Sequence, residues 1–119
     1  MSHNELSELR ELLRVFAAER DWDQFHTPKN LATALSVESA ELLEHFQWLK
    51  DDESRNLPAP TKEAVAEEMA DVLLYLVRLA DTLEVDLADA ARRKITLNAS
   101  RYPVELARGS AVKHTKLSR

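Results

Sequence analysis

Two pairs of carboxylates stand where apolar residues are expected. At roughly 100° per residue, Leu31, Leu35, Leu42 and Leu49 fall in one narrow helical stripe, and Glu38 falls inside it. Glu41 and His45 flank that stripe, with Trp48 a turn further on. A later segment repeats the pattern: Val65, Met69, Val72, Leu76, Leu79 and Leu83 form a seam, and Glu68, Asp71 and Tyr75 run along its edge. A lone carboxylate on an apolar face is costly unless something compensates. Residues three apart are neighbours on a helix, so Glu38/Glu41 and Glu68/Asp71 are two acidic pairs. Packing the two helices antiparallel brings four carboxylates together beside the core. Hard, oxygen-seeking divalent cations, Mg²⁺ or Mn²⁺, are the natural compensation. Taken alone, such a pair usually sits on a solvated helix face, as Glu44, Glu63 and Glu67 do. A di-iron bundle also uses four carboxylates but requires Glu-x-x-His motifs, and His45 follows Glu41 at the wrong interval.

The elements that must position these residues read as about four helices and a tail, an all-α fold. Leu6, Leu9, Leu13 and Phe16 recur at helical spacing over about 4–19. Residues 20–26 have no clear period and read as a loop held down by Trp22 and Phe25. Thr27 and Pro28 form a cap-and-first-position signal for a helix running to about residue 49. The polar, proline-bearing stretch 50–60 reads as an exposed connection. Thr61 is the expected cap of a third helix that runs to about residue 83, and Asp86 of a fourth that ends before Pro103. The domain is expected over 1–103. Residues 104–119 form a basic tail with Arg108, Lys113, Lys116 and Arg119, either loose or ordered on a neighbouring subunit.

The chain has 119 residues, 45% of them hydrophobic, with a single glycine, no cysteine and a net charge of −5. That length suits one domain with a modest core. Scarce glycine favours long helices over tight turns. Without cysteine there is neither a disulfide framework nor a thiolate metal site. The acidic balance argues against binding polymeric nucleic acid. A polyanionic substrate would need divalent metal between it and the carboxylates. Neither a signal peptide nor a membrane span is expected, and a cytoplasmic location follows as the expectation.

The residues Glu38-Ser39-Ala40-Glu41 and Glu68-Met69-Ala70-Asp71 resemble the ExxE and ExxD signature of the MazG-like all-α nucleotide pyrophosphohydrolases. Many members carry a further glutamate just before the first pair; this chain has Val37 there, and the dCTP pyrophosphatase branch, which it resembles, tends not to use an acid at that place. Phe16-Ala17-Ala18-Glu19-Arg20-Asp21-Trp22, Phe46-Gln47-Trp48 and Arg101-Tyr102-Pro103-Val104 are similar to that branch as well. The resemblance implies Mg²⁺ on Glu38, Glu41, Glu68 and Asp71, with Mn²⁺ as a possible substitute, and Glu41 as the candidate to orient the attacking water or take its proton. It implies that Trp22, Trp48 and Tyr75 line a pyrimidine pocket, with His26 beside them. Lys94 and Asn98 are implied to contact phosphate or sugar, with Arg101 and Tyr102 as weaker members of the same face. The implied reaction converts dCTP, or a modified form such as 5-methyl-dCTP, to dCMP and pyrophosphate in a homotetramer. Two rivals stay open: a non-catalytic helical interaction module, and a MazG-like hydrolase with another nucleotide preference.

Overall fold

The computed structural model describes residues 4–117, and among them all regular structure is helical. The chain divides into two compact units, before and after the Val85–Asp86 boundary.

In the first unit, α1 spans Glu5–Glu19. The Asn4 side chain accepts the Ser7 N–H at 2.9 Å, and Glu5 and Glu8 sit at the positive end of the helix dipole. The helix closes in a Schellman arrangement. Trp22 N–H donates to the Ala17 carbonyl at 2.9 Å and Asp21 N–H to Ala18 at 3.2 Å, with Asp21 left-handed at φ 53°. This closure delivers Trp22 against the end of its own helix.

Helix α2 spans Pro28–Glu44, with Thr27 accepting the Asn30 N–H at 3.2 Å and Pro28 in the first turn, as expected. It ends about five residues short of the expected terminus. Phe46 N–H bonds Leu43 at 2.8 Å and Leu49 N–H bonds Phe46 at 2.9 Å, so the chain tightens into three-residue turns. The apolar period continues through these turns, which is why periodicity overshoots the backbone.

The stretch expected to be a plain connection contains a short helix, α3, over Asp51–Arg55. The Glu53 carboxylate accepts the Lys50 N–H at 2.8 Å, and three acidic residues occupy its first turn. Helix α4 spans Ala59–Thr82. It begins before Thr61, because Pro58 occupies the cap and Pro60 lies in the first turn, where no N–H is needed. It too ends in a Schellman closure, Val85 N–H to Ala80 at 2.8 Å and Glu84 N–H to Asp81 at 3.1 Å, with Glu84 at φ 55°.

Helix α4 packs on α2 and on α1. Ala17, Leu31, Val65, Val77 and Ala80 are buried between them. The expected seam of α4 is only partly covered: Val65 is buried, whereas Met69 and Leu83 are more than half exposed. One chain of this size has too few helices to cover a 24-residue helix on every apolar position.

In the second unit, α5 spans Leu87–Arg101, capped by Asp86, which accepts the Asp89 N–H at 3.0 Å. Pro103 ends it, and α6 follows over Val104–Ala107. A 3₁₀ turn covers His114–Lys116, and the His114 ring meets Tyr102 edge-on at 5.6 Å. The described part of the tail is therefore structured. Arg119 lies outside the described residues.

Candidate metal centre and aromatic pocket

Glu38 and Glu41 come from α2 and Glu68 from α4. Each places a carboxylate oxygen within 4.8 Å of the other two. Among the described residues no lysine or arginine is ion-paired with any of them. Oε2 of Glu38 and Oε2 of Glu68 are closed off from solvent and have no hydrogen-bond partner. A shielded carboxylate oxygen without a donor is rare in folded proteins. The electrostatics follow. Glu38 is pushed up to about 7 by sharing a proton with Glu41, by desolvation, and by the charges of Glu41, Asp71 and Glu68. Glu68 is also raised, first by desolvation and then by Glu41. A hard divalent cation would satisfy the orphan oxygens and relieve the repulsion at once. The donor set, all carboxylate, fits Mg²⁺ or Mn²⁺.

Asp71 is exposed and lies outside that group of three, although its charge reaches both Glu38 and Glu68. It lines the neighbouring pocket of about 220 Å³, together with Leu13, Phe16, Ala17, Trp22, His26, Leu74, Tyr75 and Arg78. Glu68, Asp71, Tyr75 and Arg78 follow one another along α4 in steps of three and four residues, so they share one face. Glu68 and Tyr75 are two turns apart, about 10 Å along the axis.

The pocket wall is aromatic. Trp22 meets Phe16 edge-on at 5.6 Å and His26 at 6.2 Å. The Arg20 guanidinium lies over the Phe16 ring, 3.6 Å from its centroid. Three of the residues expected to bind substrate, Trp22, His26 and Tyr75, thus converge beside Asp71. Trp48 does not join them: it follows the end of α2 and is 87% exposed. Of the remaining expected contacts, Lys94 and Arg101 are exposed and Asn98 and Tyr102 half-buried, all in the second unit. A second cavity, lined by His45, Leu49, Asn56 and Thr61 among others, contains none of the expected site residues.

Sequence reasoning missed the charged network that reaches the pocket through Arg78. Arg78 is 9% exposed. Its Nε–H donates to His26 Nδ1 at 3.0 Å and its Nη2 pairs with Asp23. Nη1 lies 3.7 Å from Asp81 Oδ2, and Asp81 accepts two bonds from Arg14, at 2.8 and 2.6 Å. Arg14 holds Asp81 below the usual carboxylate range. Burial, then the Arg78 charge, lowers His26, against an opposing pull from Asp23. The available signal was Arg78 itself, a cation seven residues from Asp71 on the same face.

An all-α fold with a carboxylate cluster on two packed helices defines the class, and the chain belongs to the MazG-like family, which matches residues 33–117. The chain is 52% identical over 116 residues to dCTP pyrophosphatase 1 of Mus musculus, covering 96% of this chain and 68% of that protein. It is 48% identical over 118 residues to dCTP pyrophosphatase 1 of Homo sapiens, covering 94% and 67%. Among solved structures, a pyrophosphatase from Archaeoglobus fulgidus DSM 4304 aligns with a TM-score of 0.79 at 44% identity, over 87% of this chain and 96% of that one.

Proposed function

We propose that this protein is a divalent-metal-dependent nucleoside triphosphate pyrophosphohydrolase that converts dCTP, and modified forms such as 5-methyl-dCTP, to dCMP and pyrophosphate. The observation that carries it is one face of α4 that contributes Glu68 to the carboxylate cluster and, two turns on, Tyr75 to an aromatic pocket. The separation suits a base in the pocket and phosphates at the carboxylates. The names of the relatives support the choice of dCTP.

Glu38, Glu41, Glu68 and Asp71 would hold Mg²⁺, with Mn²⁺ as a substitute. Bound there, the cation supplies charge neutralisation on the triphosphate and a lower pKa for water. Glu41 orients the water that attacks the α-phosphorus, or takes its proton. Phe16, Trp22 and Tyr75 offer ring faces to the base. Trp48 also belongs to base binding in this reading, and its exposure suits a side chain completed by another copy. Lys94 and Asn98, one turn apart on α5, contact phosphate or sugar, and Arg101 and Tyr102 extend that set.

Residues 1–103 form the hydrolase domain in this reading, and 104–119 the tail. Apolar side chains left open, among them Leu43 at 60% and Met69 at 56% exposed, support assembly into a homotetramer. Sedimentation would give its mass. A nucleotide-pool substrate suits a cytoplasmic location. No described helix is long and apolar enough to cross a membrane.

The test is pyrophosphate release from the common dNTPs, with Mg²⁺ and with EDTA, for wild type and Glu38→Gln. Release strongest for dCTP, lost in EDTA and reduced more than about a hundredfold in the variant is expected. A different preferred nucleotide would keep the chemistry and discard dCTP. No release from any nucleotide would leave a helical interaction module.

A further inference from the structure

The loop carrying His26 is held by short turns, with Phe25 N–H donating to the Trp22 carbonyl and His26 N–H to that of Asp23, and the His26 ring is tied as well to a residue 52 positions away. Arginine carries only donors, so a hydrogen bond between Arg78 Nε–H and His26 Nδ1 requires a lone pair on Nδ1. The imidazole proton must then reside on Nε2. A doubly protonated ring has no lone pair to offer, so the same contact keeps His26 neutral. Burial and the Arg78 charge act in the same direction.

Arg78 is itself fixed from two further sides. Asp23 takes one arm of the guanidinium, and Asp81, clamped by Arg14, stands beside the other. With Nδ1 committed to Arg78, Nε2–H is the atom His26 has left for an occupant, and among the described residues it donates to nothing.

We propose that Arg78 is a positioning residue for base selection: it holds His26 as the Nε2–H tautomer, so the pocket presents a donor that favours a pyrimidine with an acceptor at N3 over one with N3–H. Cytosine has that acceptor, and uracil and thymine carry a proton there. The inference rests on the proposed nucleotide reading.

The test combines spectroscopy and kinetics. ¹⁵N spectra of the wild type should show His26 as a single Nε2–H tautomer, and Arg78→Met should show a mixture. The ratio of kcat/KM for dCTP over dUTP should fall by roughly tenfold in Arg78→Met, the size of one hydrogen bond. The fall should come mainly from a higher KM for dCTP. His26→Gln, whose amide reaches the Nε2 position, should keep more of the preference than His26→Asn, which reaches only Nδ1. This pair leaves Arg78 in place and carries the test if Arg78→Met does not fold.

An Nδ1–H tautomer in the wild type overturns the proposal. So does a dCTP preference unmoved in Arg78→Met, or equal loss in both His26 variants. A wild type inactive on every nucleotide overturns the functional reading and the selection claim with it, whereas an active wild type whose preference ignores Arg78 overturns the positioning claim alone.

Discussion

Metal binding should displace a proton from Glu38, and the amount is set by the cluster. With Glu38 held at about 7, the metal-free site carries this proton in about nine molecules of ten at pH 6, half at pH 7 and one in ten at pH 8. A ligand carboxylate must be deprotonated to bind, so Mg²⁺ should release those same fractions. Apparent affinity should fall about tenfold from pH 8 to pH 6, and Glu68, also raised, adds to the fall at the acid end. Calorimetric titration with MgCl₂ in buffers of different ionisation enthalpy measures the protons directly. Glu38→Gln should lose the release. The stability of the metal-free protein follows the same group: its pKa is raised on folding from 4.5, so its contribution is complete below 4.5 and lost as pH rises through about 7. Release that is absent at pH 6, or unchanged between pH 6 and 8, would refute the reading of Glu38 as a cluster member.

Three further outcomes are expected. Glu84→Gly should stabilise the protein by roughly 0.5–1 kcal/mol, raising Tm by about 2–4 °C, because Glu84 is exposed and left-handed at φ 55°. A calorimetric melt that shows no gain would mean the closure carries no strain. Asp81→Asn should destabilise by about 2 kcal/mol at pH 7, since the carboxylate is largely shielded and accepts two bonds from Arg14. Asp81 is depressed on folding, so its contribution is present above 3.8 and lost as pH falls through its folded value; the gap between variant and wild type in denaturant should close there. Trp22→Ala should raise KM for dCTP by roughly 5- to 150-fold, because an aromatic face stacked on a base is worth about 1–3 kcal/mol; steady-state kinetics showing an unchanged KM would remove the base from this pocket.

Local chemistry was legible and long-range pairing was not. Thr27 and Asp86 announced their helices because a cap needs only a side chain three residues from the N–H it satisfies. Glu38 was visible as an acid inside an apolar stripe, and the structure shows the repulsion that this placement creates. Helix α3 escaped because its support, Glu53 on Lys50, lies in a stretch without apolar period. Met69 and Leu83 belong to the periodic seam and are nonetheless exposed, since periodicity marks a face and not what covers it. Four carboxylates were expected to converge; three do, and Asp71 sits one turn along, facing the pocket. Arg78 joins residues 52 and 55 positions away, a juxtaposition that no local pattern records.

Because Glu68 of the carboxylate cluster and Tyr75 and Arg78 of the pocket ride on one continuous helix, α4 acts as a ruler. Each residue advances about 1.5 Å and turns about 100°. Inserting one residue between Asp71 and Leu74 would swing Tyr75 and Arg78 off the face that bears Glu68. Inserting four would restore the face to within about 40° and lengthen the span by about 6 Å. Point substitutions can retune what each end grips, but the length of molecule that reaches both ends is written in the number of turns between them.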